Sequence, residues 1–422
     1  MKCKSLLSFS FIALTFSAGA QNSPTFAITG TGNGDFQWSN IRQVNAETGK
    51  MIKDVYINNK TAFSLLNAAS KAPVLQQTFK YNINGVSNVY QMQDAPTLTM
   101  VAAAAYDKRH DKLFFTPMRI GELRWLDLST SNESPKFYTE KVQLLNNGDL
   151  LDEANHITRM DIAADGNGYA ISNDGNHFIR FSTGKNISIT DLGNLIDAES
   201  NSGGISIHNR CTSWGGDMVA DAFGKLYIIS ASHQVFKVDI DSRIATHIGT
   251  ITGLPATFTT NGAAVDADGK IVVSCATSFE GLYKFDIKDF VASKVEGADA
   301  GYNASDLANG NLLFQKEADA QRALSTVALP AAVPVNTDAR IYPNPVTANE
   351  FKIQFDGQKA GKYMVTVTDL AGRAVLNKSI IISTKVQAET VQITNTIGKG
   401  MYLVKVTDTN NQVVFTDRLM VQ

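Results

Sequence analysis

Cysteine is nearly absent from this chain of 422 residues, which has only Cys3, Cys211 and Cys275. So few thiols exclude a disulfide framework and a cysteine-rich metal module. Histidine is scarce as well, and none of the six (His110, His156, His177, His208, His233, His247) has the i, i+4 spacing with Glu that builds a zinc-protease helix. No zinc site is expected. A Gly-x-Ser-x-Gly elbow is missing, and the glycine pairs at Gly203-Gly204 and Gly215-Gly216 lack the lysine of a phosphate loop, so both are taken as turns. Long apolar runs are missing too. After residues 6–16 nothing approaches the ~20 apolar residues that a membrane-spanning helix needs.

Charged residues make up 18% of the chain, with a formal net charge of −2. The charge is unevenly placed. From Arg340 onward there are 10 basic and 6 acidic side chains, leaving 26 basic against 34 acidic on residues 21–339. An acidic main region repels phosphate backbones, so nucleic acid is not an expected partner.

The first twenty residues have the form of a signal peptide: Lys2 and Lys4, an apolar centre, then Ala18-Gly19-Ala20 as a small-residue cleavage site. The mature chain is expected to begin at Gln21 and to be exported. Cys211 and Cys275 then lie in a disulfide-permissive setting, where a bridge between them and two buried thiols both stay open.

Glycine (31), phenylalanine (22) and tyrosine (12) are plentiful and favour short strands and turns. The clearest unit is Asp221-Ala222-Phe223-Gly224, a polar turn between Met218-Val219-Ala220 and the apolar run Leu226-Tyr227-Ile228-Ile229. Copies begin near residues 101, 160, 263 and 304, and most continue into an alternating strand that ends near Asp. Units of this kind, with small residues before a turn glycine, are the pattern of a β-propeller whose inner strands crowd a central channel. Five copies are visible and residues 58–98 are taken as a degenerate sixth, so six blades are favoured, with five and seven also allowed. The fifth copy lacks an outer strand, and residues 36–57 are expected to complete it, closing the ring and removing exposed sheet edges. The propeller is assigned residues 21–323. The Pro-punctuated stretch 324–340 is read as an extended linker.

Residues 341–422 contain about seven short strands separated by turn signals, the pattern of an immunoglobulin-like sandwich. Tyr342-Pro343-Asn344-Pro345, Gly361-Lys362-Tyr363, Asp369-Leu370-Ala371-Gly372-Arg373 and Gly400-Met401-Tyr402 occur within it in that order. Together they resemble the type A C-terminal sorting domain of the type IX secretion system. The resemblance implies a Bacteroidota-type protein that interacts with that secretion machinery, crosses the outer membrane, and is displayed at the cell surface or secreted.

In the propeller, the residues just before each inner strand line one face and the channel mouth. They supply the candidate ligand-binding set His156, Arg159, His208, Arg210, Trp214, Asp217, Asn261 and Asn303; no catalytic residue is assigned. Asp266-Ala267-Asp268-Gly269 has the look of a calcium loop, but the twelfth position, Thr277, is not a carboxylate, so the turn is read as structural. No cofactor is expected, with a single divalent ion in the channel left open. The favoured function is an exported binding module for a glycan, peptide or protein. The alternative is an enzyme similar to six-bladed calcium-dependent lactonases or related sugar-acting propellers, with Asn261 and Asn303 as ligand candidates.

Overall fold

A computed structural model describes residues 23–422 except 32–35, 84–85, 131–133, 146–148, 298–300, 328–338, 370–373, 394–396 and 411. The expected signal peptide, most of the expected linker and Gly372 of the sorting motif therefore lie outside the described residues. The chain divides into two compact units, Met1–Arg322 and Ala323–Gln422.

The first unit is a five-bladed β-propeller. Its inner strands are Val101–Asp107, Ile157–Ile162, Asp217–Ala220, Gly262–Val265 and Ala304–Ala308, and each adjoins the next around a closed ring. Blade one consists of Ala304–Ala308, Thr25–Thr29, Asn40–Val44 and Met51–Tyr56. Blades two to five follow the repeats in order. Small residues fit the crowded ring, where Ala103, Ala105, Ala220, Ala264 and Ala304 are all buried.

The repeated turn forms for a local reason. Asp221 Oδ1 accepts the amides of Phe223 and Lys225, both at 2.8 Å, and Gly224 takes a left-handed φ of 80°. The side chain thus replaces the backbone acceptors that the reversal removes. Asp266 repeats this with the amides of Asp268 and Lys270, and Gly269 has φ of 85°.

The structure revises four sequence expectations. The blade count is five, one of the allowed values, instead of the favoured six. Residues 58–98 form no blade: Ser64–Asn67 adds a parallel outer strand to blade two, and Gln76–Ile83 pairs with Val86–Gln93 as a separate hairpin. Their polar sequence offers no small-residue strand able to enter the ring. The N-terminal strands do complete the last blade, but Thr25–Thr29 lies directly against Ala304–Ala308, with Phe26 opposite Ala308 and Ile28 opposite Asp306. This fully buried five-residue strand was not anticipated, and it displaces residues 311–314 from the expected second position. Leu313 instead bridges to Asp221, and Gln315–Val327 is a helix that includes part of the expected extended linker. Glu317, Ala318, Ala320, Gln321 and Arg322 are strong helix formers, and their propensity prevails. Cys211 and Cys275 are unbridged, the first exposed and the second buried.

The second unit is a seven-stranded sandwich. Ala339–Tyr342, Glu350–Asp356 and Val386–Gln392 form one sheet; Ala374–Ile382, Gly361–Thr368, Gly400–Thr407 and Val413–Val421 form the other. Alternate residues such as Phe351, Ile353, Val365, Val367, Val404 and Val406 fill the space between them. Among the described residues, no helix is long and apolar enough to cross a membrane.

Candidate functional site

Each inner strand begins on one face of the propeller, and loops reach that face from all five blades. On blade two this loop carries Thr97, Leu98, Thr99 and Met100. It lines a groove of about 1390 Å³ together with Gln37, residues 58–66, residues 73–76 and Gln93. The walls are tied to the scaffold. Thr97 Oγ1 donates to the Ser39 carbonyl at 2.8 Å, the Val101 amide donates to the Trp38 carbonyl, and Asn40 Oδ1 accepts the Asn58 amide. Behind the groove, Tyr56, Phe63 and Phe137 pack edge to face, with centroid separations of 5.1 to 6.5 Å.

Thr99 and Met100 are consecutive non-glycine residues in the left-handed region, with φ of 69° and 68°. For a β-branched residue such as Thr99 this is a strained conformation. It is held in place by the Arg119 amide, which donates to Thr99 Oγ1, and by the Met100 carbonyl, which accepts from Met118. Strain of this kind clusters at ligand sites, because only a rigid surround maintains it.

A buried charge cluster lies behind the groove wall at Asp94 and Ala95. Arg124 donates to both oxygens of Asp94, to Glu122 Oε2, and to the carbonyls of Ala95 and Pro96. Lys141 Nζ lies 3.3 Å from Glu122 and donates to Gln77 at 2.7 Å. Burial alone would raise the Glu122 carboxyl, but Arg124 and Lys141 hold it below the usual range.

The residues anticipated from the sequence lie on this same face, but mostly as supports. Arg159 is buried and donates to the carbonyls of Ser172, Asn173, Ser213 and Gly215; burial lowers its pKa to about 10. The His156 ring meets the Leu150 carbonyl, and the His208 ring nitrogens lie 2.8 and 3.1 Å from the carbonyls of Asp174 and Leu195. Asn261 Oδ1 accepts from Thr259 and the Ala276 amide, and Asn303 donates to the Ala276 carbonyl. Arg210 is exposed; its guanidinium stands 5.0 Å above the Trp214 ring and pairs with Glu153 at 2.9 Å. The groove at residues 58–100 was not anticipated. Its only signal in the sequence is a density of Asn, Gln and Thr ahead of a small-residue strand.

Inside the ring, Asp161, Asp217 and Asp306 are 8%, 1% and 0% exposed, which places them beyond the reach of a substrate. Asp161 accepts the Ala220 amide and Asp217 accepts the Ala263 amide, both at 2.7 Å, so each fastens its strand to the next blade. Neither oxygen of Asp306 closes a hydrogen bond, although the Ala104 amide faces it. Burial raises all three carboxyls, Asp161 to about 7; the charge of Asp161 raises Asp217 further, and Asp217 and Asp161 together raise Asp306. A raised folded pKa means that the native state holds protons the unfolded chain has released. This contribution is complete below the unfolded value near 3.8 and is lost as pH rises toward 7. Asp306→Asn is therefore expected to make the propeller more stable at pH 8 and to flatten its loss of stability between pH 4 and 8, as measured by denaturant melts. A steeper decline would contradict this assignment.

The fold and these sites define a five-bladed propeller carrying a C-terminal sorting sandwich. Residues 340–422 match the family model of the secretion system C-terminal sorting domain. The chain is thus an exported protein whose tail is recognised by the type IX secretion machinery and directs it to the cell surface or the medium. No curated protein matches it in sequence. Among solved structures, it is similar to PorZ, a bacterial surface component of the type-IX secretion system of Porphyromonas gingivalis, at 14% identity and TM-score 0.31, covering 94% of this chain and 51% of PorZ. The chain spans about half the length of that protein. A putative 6-phosphogluconolactonase from Bacteroides uniformis is 13% identical, with TM-score 0.34, covering 88% of this chain and all of the other. Virginiamycin B lyase from Staphylococcus aureus is 10% identical, with TM-score 0.30, covering 84% and 94%.

Proposed function

We propose that the propeller is a binding module, delivered to the cell surface or the medium by its tail, that holds a neutral glycan or peptide in the groove lined by residues 58–66 and 92–100. The observation that carries this reading is the strained pair Thr99 and Met100, fixed on the groove wall. Support comes from the lining itself. Asn59, Lys60, Gln76 and Gln93 offer exposed amide and ammonium groups, while Phe63, Leu75 and Leu98 offer apolar surface. Such a mixture suits sugar rings or an extended peptide. Arg210 and Trp214, on the same face, extend the contact surface.

Glycan and peptide arrays probed with the mature protein test this reading. A hit should lose about tenfold in affinity on Gln76→Ala/Gln93→Ala, roughly the worth of one or two net hydrogen bonds. It should also weaken on Leu98→Trp, whose larger side chain narrows the groove. Arrays without hits, or hits indifferent to Leu98→Trp, would overturn the proposal.

A further inference from the structure

On the opposite face, the blade-five turn meets a residue from the other end of the chain. Glu47 lies in the turn between the two outer strands of blade one, and its Oε1 accepts the Ala267 amide at 2.8 Å. One ligand oxygen from each of Glu47, Asp266 and Asp268 lies within 4.8 Å of the others. The carboxylate missing at Thr277 is thus supplied through the fold.

Comparison between the blades shows why this turn is different. In blade four the free oxygen of Asp221 takes the Tyr227 hydroxyl, and in blade three Tyr169 donates to Asp165, which aligns with Asp268. In blade five the equivalent position is Val272, which has no hydroxyl. Asp266 is 0% exposed, and its Oδ2 has no hydrogen-bond partner. Lys284 Nζ forms ion pairs with that oxygen at 3.5 Å and with Glu47 at 3.8 Å, both beyond hydrogen-bond length. An independent observation points the same way. Asn311 lines the same hollow of about 320 Å³ as Glu47 and Asp266; its Nδ2 donates to the Val265 carbonyl, while its buried Oδ1 has no partner. Orphaned buried oxygens are rare in native proteins, and an ion or an ordered water is the usual partner.

We propose that Glu47, Asp266, Asp268 and Asn311 bind a calcium ion that fastens blade one to blade five at the closure of the ring. The donors are all hard oxygens, three of them carboxylates, as calcium prefers. The three carboxylates exceed the charge of Lys284 by two, which a divalent ion balances; Lys316, 3.6 Å from Asp268, is exposed and screened by solvent. Affinity belongs in the ~0.1–1 mM range of extracellular calcium modules.

The test is calcium titration of the mature protein, followed by calorimetry and by the melting temperature relative to EDTA. Wild type should release or absorb heat and melt at a higher temperature as calcium rises. Glu47→Gln, which keeps an acceptor for the Ala267 amide, and Asp268→Asn should each weaken affinity about tenfold or more and shrink the calcium-dependent rise in melting temperature. Lys284→Met should tighten binding, because its ammonium competes for the same carboxylates. No response of the wild type by ~10 mM calcium, well above that range, would overturn the site. So would unchanged affinity in Glu47→Gln and Asp268→Asn, or weaker affinity in Lys284→Met.

Discussion

Deletion of residues 340–422 is expected to leave a folded propeller inside the cell envelope and to abolish its appearance at the surface and in the medium. The propeller is a compact unit of its own, so losing the tail removes the address without removing the fold. Fractionation and immunoblotting of cells expressing the two forms give the readout, and equal secretion of both would contradict the role of the tail. The structure also shows what the Tyr-Pro-Asn-Pro motif does in the sandwich. Asn344 donates to the Arg418 carbonyl at 2.6 Å and accepts the Met420 amide at 2.9 Å, and the next contacts are Val346 to Met420 and Gln422 to Val346. The side-chain amide imitates a paired strand and seals the free edge of the last strand, which otherwise invites other strands to add. Asn344→Ala should cost about 1 kcal/mol, because these bonds are exposed and water replaces them in part. Its secretion defect should therefore be smaller than that of the deletion.

Arg124→Met is expected to destabilise the propeller by about 3–5 kcal/mol at pH 7, because it leaves Asp94 and Glu122 as buried carboxylates with only Lys141 nearby. Denaturant melts of the mature protein measure the loss. The pH dependence identifies the cause. Glu122 has a depressed folded pKa, so its contribution exists above the unfolded value and disappears as pH falls through the folded one. In the variant that support is gone, and the deficit should shrink as acid protonates the stranded carboxylates. Arg124→Met/Glu122→Gln should recover part of the loss, since the two sites are coupled. A deficit independent of pH would indicate lost packing alone. Because Arg124 also holds the carbonyls of Ala95 and Pro96, the same variant should loosen the groove wall and weaken any array hit.

Much of the scaffold was legible because its causes are local. The Asp-x-x-Gly turns at 221–224 and 266–269 contain their own hydrogen-bond partners, and the apolar residues of Gln234–Asp239 mark a strand packed between neighbouring blades, with Val235 buried on one face and Phe236 and Val238 on the other. The closure of the ring was legible as an incomplete last copy. Its order was not, because Thr25–Thr29 carries too few residues for a period to show. Residues 58–98 misled for a related reason: strand-like patterning in Gln76–Gln93 is real, but it gives no information about which sheet, if any, accepts the strands.

The candidate site divides in the same way. The sequence placed its candidates on one face, since residues just before each inner strand must lie at one end of the ring. Only the tertiary structure decided which of them are free. Arg159, His208 and Asn261 are consumed by backbone groups that no local pattern names, while Thr99 and Met100 hold a strain that composition cannot express. By itself, the sequence determined the turns, the strands, the sorting tail and the export route, because each depends on residues a few positions apart. The number of blades, the buried carboxylates of the channel and the meeting of Glu47 with Asp266 were decided by ring closure, which brings together residues from opposite ends of the chain.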